Sequence, residues 1–248
     1  MTNQAVDESA PQAGACVEAH ALTRRFGEHL ALDSLDLRIE PGEAFGLLGA
    51  NGAGKTTFIR LLTGVLLPSA GEARVDGYSP SRDPAAVRRR IGFVPETSRI
   101  YPDLRVHAFL RFAGGARDLS GAALQRAVDQ AITDFQLEDV AHRWVGQLSK
   151  GFQQRVSLAQ AFLHHPALMI VDEPTSGLDP LQQEEVRSVL RGLRGRHTLI
   201  LCTHDLGEAR QLTERAAVLH RGRLVAAGPS AEVLGRADPL ALFRGELA

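Results

Sequence analysis

Residues 49–56 form a glycine-rich segment that ends in a lysine and a threonine: Gly-Ala-Asn-Gly-Ala-Gly-Lys-Thr. A short apolar stretch at residues 44–48 precedes it, and residues 55–65 have the apolar spacing of a helix. Glycines let the backbone turn so that successive N–H groups face one anion, and a helix start adds partial positive charge. The pattern predicts a phosphate-binding loop in which Lys55 binds the β- and γ-phosphates of a nucleotide and Thr56 binds Mg²⁺.

Two adjacent carboxylates, Asp172 and Glu173, end a second apolar stretch at residues 167–171. Neighbouring side chains at a strand end point to different sides, so one carboxylate can serve a metal and the other a water molecule. We predict that Asp172 belongs to the Mg²⁺ shell and that Glu173 is a general base directed at the γ-phosphate. His204 follows another predicted strand, at residues 198–202, where it can reach a phosphate or orient water.

A third segment, residues 148–155, opens a predicted helix that runs to residue 164. Ser149 can cap that helix, and Gly151 permits close approach of another backbone. These features suit a second anion-binding helix start, but when the segment is considered alone a plain serine N-cap is the favoured explanation.

The composition excludes several classes of protein. The 248 residues carry a net charge of −1, which argues against a nucleic-acid binder that works through bulk electrostatics. No apolar run approaches the 18 residues of a membrane span, and the first residues lack the pattern of a secretory signal. Two cysteines cannot build a disulfide framework, so a reducing cytoplasmic compartment is expected. Of the 28 basic residues only Lys55 and Lys150 are lysines, and both lie inside motifs.

Alternating strand and helix patterns predict an α/β fold that surrounds these motifs. Strands are predicted at residues 17–22, 35–39, 74–76 and 91–94, and a final hairpin at 216–227. Helical spacing behind Ser120 predicts a helical insertion at about residues 97–163. Residues 1–15 are small, polar and aperiodic, and are expected to be a disordered tail ahead of one domain at residues 16–248.

Taken together, the motifs resemble those of the ATP-binding subunit of an ABC transporter. The resemblance covers about residues 17–230 and rests on motif order: the segments are 49–57, 93–97, 148–152, 167–173, 176–179 and His204. It implies a P-loop NTPase core with an N-terminal antiparallel β subdomain and a helical insertion subdomain. It also implies ATP and Mg²⁺ as ligands, and ATP hydrolysis as the activity.

The resemblance also implies a role for each matching residue. Phe26 matches an aromatic that stacks on adenine, Asp179 matches a loop that communicates across a dimer, and His204 matches a switch histidine. Asp172 and Glu173 match the metal-holding aspartate and the catalytic glutamate. The loop positions matched to phosphate and Mg²⁺ binding are Gly49, Asn51, Gly52, Ala53, Gly54, Lys55, Thr56 and Thr57. Ser149 and Gly151 would act on ATP held by a second subunit.

Two positions depart from the family pattern. The signature, usually LSGGQ, here reads LSKGF, so that Lys150 replaces a glycine and Phe152 a glutamine. Glu96 stands where the family usually has glutamine, which places a third carboxylate near the metal. A carboxylate there is compatible with binding Mg²⁺ through water. Both departures resemble the export-type branch, whose ATPase is a separate chain from its permease.

Three functional classes share such motifs. A transport ATPase would pair with an integral-membrane permease, form an ATP-dependent homodimer, bind no nucleic acid, and lie on the cytoplasmic face of the membrane. ABC ATPases that act on DNA or ribosomes resemble it, but they carry long insertions, zinc modules or tandem cassettes that 248 residues do not accommodate. An assembly ATPase of the iron–sulfur kind has similar length but a different signature. The transport ATPase is the hypothesis that these residues favour.

Overall fold

The computed structural model describes residues 14–97, 100–235 and 241. The strands are β1 (Val17–Phe26), β2 (His29–Ile39), β3 (Ala44–Leu48), β4 (Ala70–Val75), β5 (Ile91–Val94), β6 (Leu168–Asp172), β7 (Thr198–Thr203), β8 (Arg215–His220) and β9 (Arg223–Pro229). The helices are α1 (Lys55–Leu62), α2 (Pro84–Arg90), α3 (Val106–Gly115), α4 (Gly121–Asp134), α5 (Lys150–Phe162), α6 (Pro180–Gly192), α7 (Leu206–Leu212) and α8 (Ser230–Leu234).

A six-stranded sheet in the order β5-β6-β7-β3-β8-β9 forms the centre of the fold. All its neighbouring strands run parallel except β9, which pairs antiparallel with β8. Every residue of β3 and β6 is buried, as expected for parallel strands covered on both faces. The carboxyl ends of β3, β6 and β7 therefore meet at one edge, where a ligand crevice is expected in α/β sheets.

A separate three-stranded antiparallel sheet, in the order β2-β1-β4, lies at the N-terminal side. The strand predicted to end at residue 22 continues to Phe26, where a tight turn returns the chain at His29. Ala21 adopts a left-handed φ of +45°, and the pairing slips after Ala19. This irregularity breaks the period-two pattern, which explains why the sequence predicted a shorter strand.

The chain between β5 and β6 is largely helical and contains α3, α4 and α5. Their apolar faces share a buried cluster that includes Phe109, Phe135 and Phe162. The sequence did not predict α3, which carries Gly114 and Gly115 in its last turn. An added Cβ at Gly114 would lie 2.5 Å from the end of the Leu124 side chain of α4, so a larger residue would require that side chain to move.

The expected disordered tail ended at residue 15, but its last two residues are packed against the core. Ala15 is fully buried, its N–H donates to the Ala167 carbonyl at 3.1 Å, and its carbonyl accepts from the Thr198 hydroxyl at 2.7 Å. Gly14 packs so closely that a Cβ would lie 2.2 Å from the Gly42 nitrogen. Small residues at both positions permit this contact, so residues 14 and 15 belong to the packed domain and not to the predicted tail. The rest of that predicted tail, residues 1–13, lies outside the described residues.

Among the helices that the structure describes, none is both long enough and apolar enough to cross a bilayer.

Candidate nucleotide site

The glycine-rich loop connects β3 to α1 at the carboxyl edge of the central sheet. Gly54 immediately precedes α1 and has a φ of +113°. A Cβ at this position would lie 2.8 Å from the Ala31 carbonyl oxygen, so glycine is required. Lys55 is buried and its Nζ donates to the Gly49 carbonyl. Within the described residues no side chain caps the start of α1. The first N–H groups of this helix are thus available to an anion.

The turn between β8 and β9 supports this loop from behind. The Gly222 N–H donates to the Ala53 carbonyl at 2.9 Å, and the Gly222 carbonyl accepts from the Asp33 N–H at 2.9 Å. Gly222 has a φ of +79°, and a Cβ on it would meet the Ala31 carbonyl oxygen at 2.9 Å. The glycine therefore ties the phosphate loop to β2 through backbone atoms alone.

The two carboxylates predicted at the end of β6 lie beside this loop. Asp172 ends β6 and is 8% exposed. Glu173 follows with a left-handed φ of +49°, and its N–H donates to the Cys202 carbonyl of β7 at 2.8 Å. A left-handed glutamate is uncommon and costs conformational energy, and here it aims the side chain at Lys55, whose Nζ lies 3.9 Å from Oε1.

His204 completes the group from the end of β7. Its Nδ1 lies 2.8 Å from Glu173 Oε2, while its side chain remains 62% exposed. One imidazole nitrogen therefore contacts the carboxylate, and the rest of the ring faces solvent. This arrangement can orient a water molecule or a phosphate oxygen next to Glu173.

The charges in this cleft disturb the titration of Asp172. The pKa of Asp172 is raised to about 6, chiefly by burial and also by the nearby Glu173 and Glu96 carboxylates, while Lys55 acts in the opposite direction. The cleft thus holds more negative charge than Lys55 offsets. A bound cation would compensate that excess.

These groups line one cleft of about 280 Å³. The lining residues that the sequence predicted are Phe26, Asn51, Gly52, Ala53, Gly54, Lys55, Thr56, Thr57, Glu96, Asp172, Glu173 and His204. Sequence reasoning did not single out Ala50 of the loop itself. It also missed His29 and Ala31, which enter the cleft because the turn after Phe26 places β2 beside the loop. The glycine at position 27 was the one available signal for that turn.

Phe26 is 42% exposed at the end of β1. The guanidinium carbon of Arg24 lies 4.5 Å from the centroid of the Phe26 ring. Arg24 is anchored in turn, because its Nη1 donates to the Leu67 carbonyl at 2.8 Å. The ring is therefore held in place by a cation at the mouth of the cleft.

Ser149, Gly151 and Asp179 do not line this cleft. The hydroxyl of Ser149 accepts from the Phe152 N–H at 3.4 Å and caps α5, and the Asp179 carboxylate accepts from the Gln182 N–H at 3.0 Å and caps α6. A Cβ on Gly151 would approach the Gln182 side chain at 2.9 Å. These predicted residues therefore form a second group, at the starts of α5 and α6.

The two departures in the signature have visible packing consequences. Lys150 is exposed, so its side chain occupies solvent-facing space. The Phe152 ring stacks on the buried guanidinium of Arg155, with 4.2 Å from its carbon to the ring centroid. Arg155 also donates to the Gln136 carbonyl at 3.1 Å, so Phe152 helps to fasten α5 to the end of α4.

The oxygen donors in the cleft fit Mg²⁺. Thr56 contributes a hydroxyl and Asp172 a carboxylate, and a triphosphate supplies further oxygens of the kind that Mg²⁺ prefers. In the described part of the chain, no three histidine, cysteine or acidic side chains converge as a metal site by themselves. The residues thus suit a cation that arrives with a nucleotide.

Comparisons with known proteins agree with this geometry. Residues 32–176 match the ABC transporter family. A Nod factor export ATP-binding protein I from Paraburkholderia xenovorans is 38% identical over 94% of this chain and 81% of its own length. The daunorubicin resistance ATP-binding protein DrrA3 of Streptomyces coeruleorubidus is 37% identical over 85% of this chain and 67% of its own length.

Solved structures show the same likeness. CbiO1 of Clostridium perfringens, described as part of the ABC transporter complex CbiONQ, superposes with a TM-score of 0.81 at 27% identity. That match covers 89% of this chain and 90% of the other. An ATP-binding subunit of an ABC transporter gives a TM-score of 0.79 at 30% identity and covers 92% and 98%. The sequence prediction of family and fold is confirmed, and this chain belongs to the ABC transporter family as one of its ATP-binding, ATP-hydrolysing subunits.

Proposed function

We propose that the chain powers an exporter by binding and hydrolysing ATP with Mg²⁺. The observation that carries this proposal is the convergence of Lys55, Asp172, Glu173 and His204 on one cleft beneath an uncapped helix start. Export is supported by the names of the relatives, which include a Nod factor export protein and a daunorubicin resistance protein. The permease would determine the cargo.

Each charged side chain has a distinct task in this mechanism. Lys55 and the N–H groups of the loop would hold the β- and γ-phosphates, and Thr56 and Asp172 would hold the Mg²⁺. When bound, Mg²⁺ neutralises charge on the phosphates. Glu173 would take a proton from the attacking water, and His204 would keep Glu173 and the γ-phosphate aligned. Glu96 would reach the cation through a water molecule.

Phe26 would bind the base. A ring fixed at the mouth of the cleft offers a preorganised surface for adenine, and the Arg24 guanidinium beside it limits its motion. Stacking of this kind tolerates small differences in the base because every base has a π-face.

The second group of residues, Ser149, Gly151 and Asp179, would act on ATP bound to another copy of the chain. Two copies related by a two-fold axis would each present an α5 start to the phosphate loop of the other, which is a self-complementary arrangement. The γ-phosphate would bridge the halves, so hydrolysis would release them. The dimer would sit peripherally on the inner face of the membrane, attached to its permease.

Glu173→Gln tests this proposal most directly, because it keeps the size of the side chain and removes the proton acceptor. We expect turnover to fall by about 10²–10⁴-fold while ATP binding survives. With ATP and Mg²⁺ the variant should elute at twice the 26.8 kDa monomer mass, and with ADP as a monomer. Glu184→Gln, a change at an exposed glutamate paired with Arg191, is the matched control.

Normal hydrolysis by Glu173→Gln would exclude Glu173 as the base. An inactive variant that stays monomeric with ATP should be examined again together with its permease, since the isolated dimer can be weak. Purification from membranes tests the partner: a polytopic protein should follow the ATPase. Its absence, with association to ribosomes or iron–sulfur proteins instead, would contradict transport.

A further inference from the structure

A buried carboxylate outside the nucleotide cleft connects two of its walls. Glu208 lies in the first turn of α7 and is 1% exposed, and it does not line the cleft. A buried carboxylate is expensive unless it is paired or hydrogen-bonded. Its contacts therefore indicate why it is there.

Glu208 accepts a hydrogen bond from the hydroxyl of Thr175, whose Oγ1 donates to Glu208 Oε1 at 2.8 Å. The Thr203 hydroxyl also lowers the pKa of this carboxylate. Both threonines are buried. Burial raises the pKa of Glu208, whereas the hydrogen bonds from Thr203 and Thr175 lower it, so these bonds stabilise the ionised form.

The positions of the two threonines give this contact its importance. Thr175 follows Glu173 by two residues, and Thr203 immediately precedes His204. Glu173 and His204 are the pair joined at 2.8 Å in the cleft. Glu208 therefore joins the segment that follows Glu173 to α7, the helix that begins two residues after His204.

The surrounding contacts fix Glu208 itself. Asp205 caps α7 by accepting from the N–H groups of Gly207 and Glu208, at 2.7 and 3.1 Å. Arg187 of α6 approaches Asp205 at 3.9 Å and lowers the pKa of Glu208 through its charge. The backbone of Glu208 is thus fixed by the Asp205 cap, and Asp205 is itself approached by a cation from α6.

We propose that Glu208 is a positioning residue that ties the segment after Glu173 to α7, the helix that follows His204, and keeps the Glu173–His204 contact aligned. The inference rests on the proposed catalytic roles of Glu173 and His204. A misplacement of about 1 Å at reacting groups can cost about 100-fold in rate, so loss of one bond to Glu208 should matter for turnover.

Thr175→Val tests the proposal, because it keeps the shape of the side chain and removes the hydroxyl. We expect kcat to fall about 10-fold with KM for ATP within about twofold of wild type, since the geometry of the base is disturbed but the phosphate loop is not. Thr175→Ser should restore kcat to within about twofold because it returns the donor. Thr213→Val, which removes a buried hydroxyl at the far end of α7, is the matched control and should leave kcat unchanged.

A double-mutant cycle separates alignment from general destabilisation. In a His204→Ala background, Thr175→Val should cause little further loss, because the contact that it aligns is already gone. Glu208→Gln provides a second variant with the same expectation, and urea unfolding of every variant verifies that it is folded. An equal loss in both backgrounds, or a wild-type kcat in Thr175→Val, would overturn this inference.

Failure of the inference can be told apart from failure of the proposed function. If His204→Ala and Glu173→Gln are both impaired while Thr175→Val is normal, only the role of Glu208 is wrong. If His204→Ala and Glu173→Gln turn over ATP normally, the proposed catalytic roles fail and the inference fails with them.

Discussion

The starts of α1 and α5 are both glycine-containing helix starts, yet they are built in opposite ways. At α1 the preceding Gly54 is left-handed, and within the described residues no side chain caps the helix. At α5 the Ser149 hydroxyl accepts from the Phe152 N–H. The α1 start faces a cleft lined by Lys55 and three carboxylates, whereas at the α5 start Ser149 and Lys150 are exposed and Gly151 is buried.

This difference indicates how each helix start can bind an anion. The α1 start leaves its N–H groups free inside a cleft and adds a buried ammonium, so it can hold a phosphate by itself. The α5 start has one N–H group already satisfied and faces solvent, so it gains a strong anion site only when another surface covers it. The α1 start is thus suited to binding an anion within one chain, and the α5 start is suited to binding an anion held by a second chain.

Among the variants that test this comparison, Lys55→Ala should have the largest effect on turnover. Lys55→Ala deletes the one ammonium in the cleft, in a site where charge is preorganised, and turnover should fall by about 10³-fold or more. Steady-state hydrolysis by the purified variant measures it. Arg60→Ala, at an exposed cation later in α1, is the control and should retain turnover. Near-normal turnover in Lys55→Ala would refute the phosphate-loop assignment.

Gly151→Asp tests the α5 start. The new carboxylate would repel the γ-phosphate of the partner copy, which costs several kcal/mol, so turnover should fall by about 100-fold. ATP binding to the monomer should be unaffected, and equilibrium binding of a fluorescent nucleotide checks this. Gly192→Asp, at a position where an added Cβ meets nothing within 4 Å, is the control. Undiminished hydrolysis by Gly151→Asp would contradict binding across two chains.

Phe26→Ala should have a smaller effect that is confined to the cleft. Loss of base stacking is worth about 2 kcal/mol, which is about 30-fold in nucleotide affinity. Calorimetric titration with ATP measures this change, and kcat at saturating ATP should remain close to wild type. Phe112→Ala, at another exposed aromatic, is the control. Equal affinity in Phe26→Ala would place the base elsewhere.

The smallest effect concerns the other end of α5, where His164 follows the helix. Burial and the Arg117 guanidinium lower the pKa of His164 to about 4, and Arg117 Nη1 lies 2.9 Å from its Nε2. Because His164 is neutral in the fold, its contribution to stability is complete above about pH 6.5 and is lost as the pH falls toward 4. When the pH is lowered from 8 to 5.5, the titration of His164 should decrease the free energy of unfolding by about 1.4 kcal/mol.

His164→Gln removes the group that titrates. The variant should therefore lose about 1.4 kcal/mol less unfolding free energy than wild type when the pH is lowered from 8 to 5.5. Urea unfolding of the variant and of wild type at both pH values measures the difference. If both proteins lose the same stability between pH 8 and 5.5, the buried neutral state of His164 is refuted.

The core motifs could be predicted from the sequence because each depends on local residue order. Three features of the site lie at the ends of strands with unambiguous apolar runs: the phosphate loop, the carboxylates at the end of β6, and His204. The α/β fold is predicted from the same runs. The family and fold predictions are confirmed. The roles of all the individual site residues remain predictions, and those of Ser149, Gly151 and Asp179 also concern a second chain.

Other features could not be predicted because they depend on contacts between distant residues. His29 enters the cleft because the turn after Phe26 places β2 beside the loop, Gly114 of α3 packs against Leu124 of α4, and Glu208 meets a threonine that is 33 positions away. The packing of Gly14 and Ala15 likewise depends on residues near positions 42, 167 and 198. The local periodicity of the sequence does not indicate contacts between residues that are distant along the chain.

The hydrogen bond from Gly222 to Ala53 has a consequence for the kinetics of nucleotide capture. Since the loop backbone is braced by a hairpin that belongs to the core sheet, its curvature exists before the nucleotide arrives. Little chain entropy is then lost on association, and the encounter need not wait for the loop to order. The Gly222 amide should therefore exchange slowly with deuterated solvent even in the absence of nucleotide.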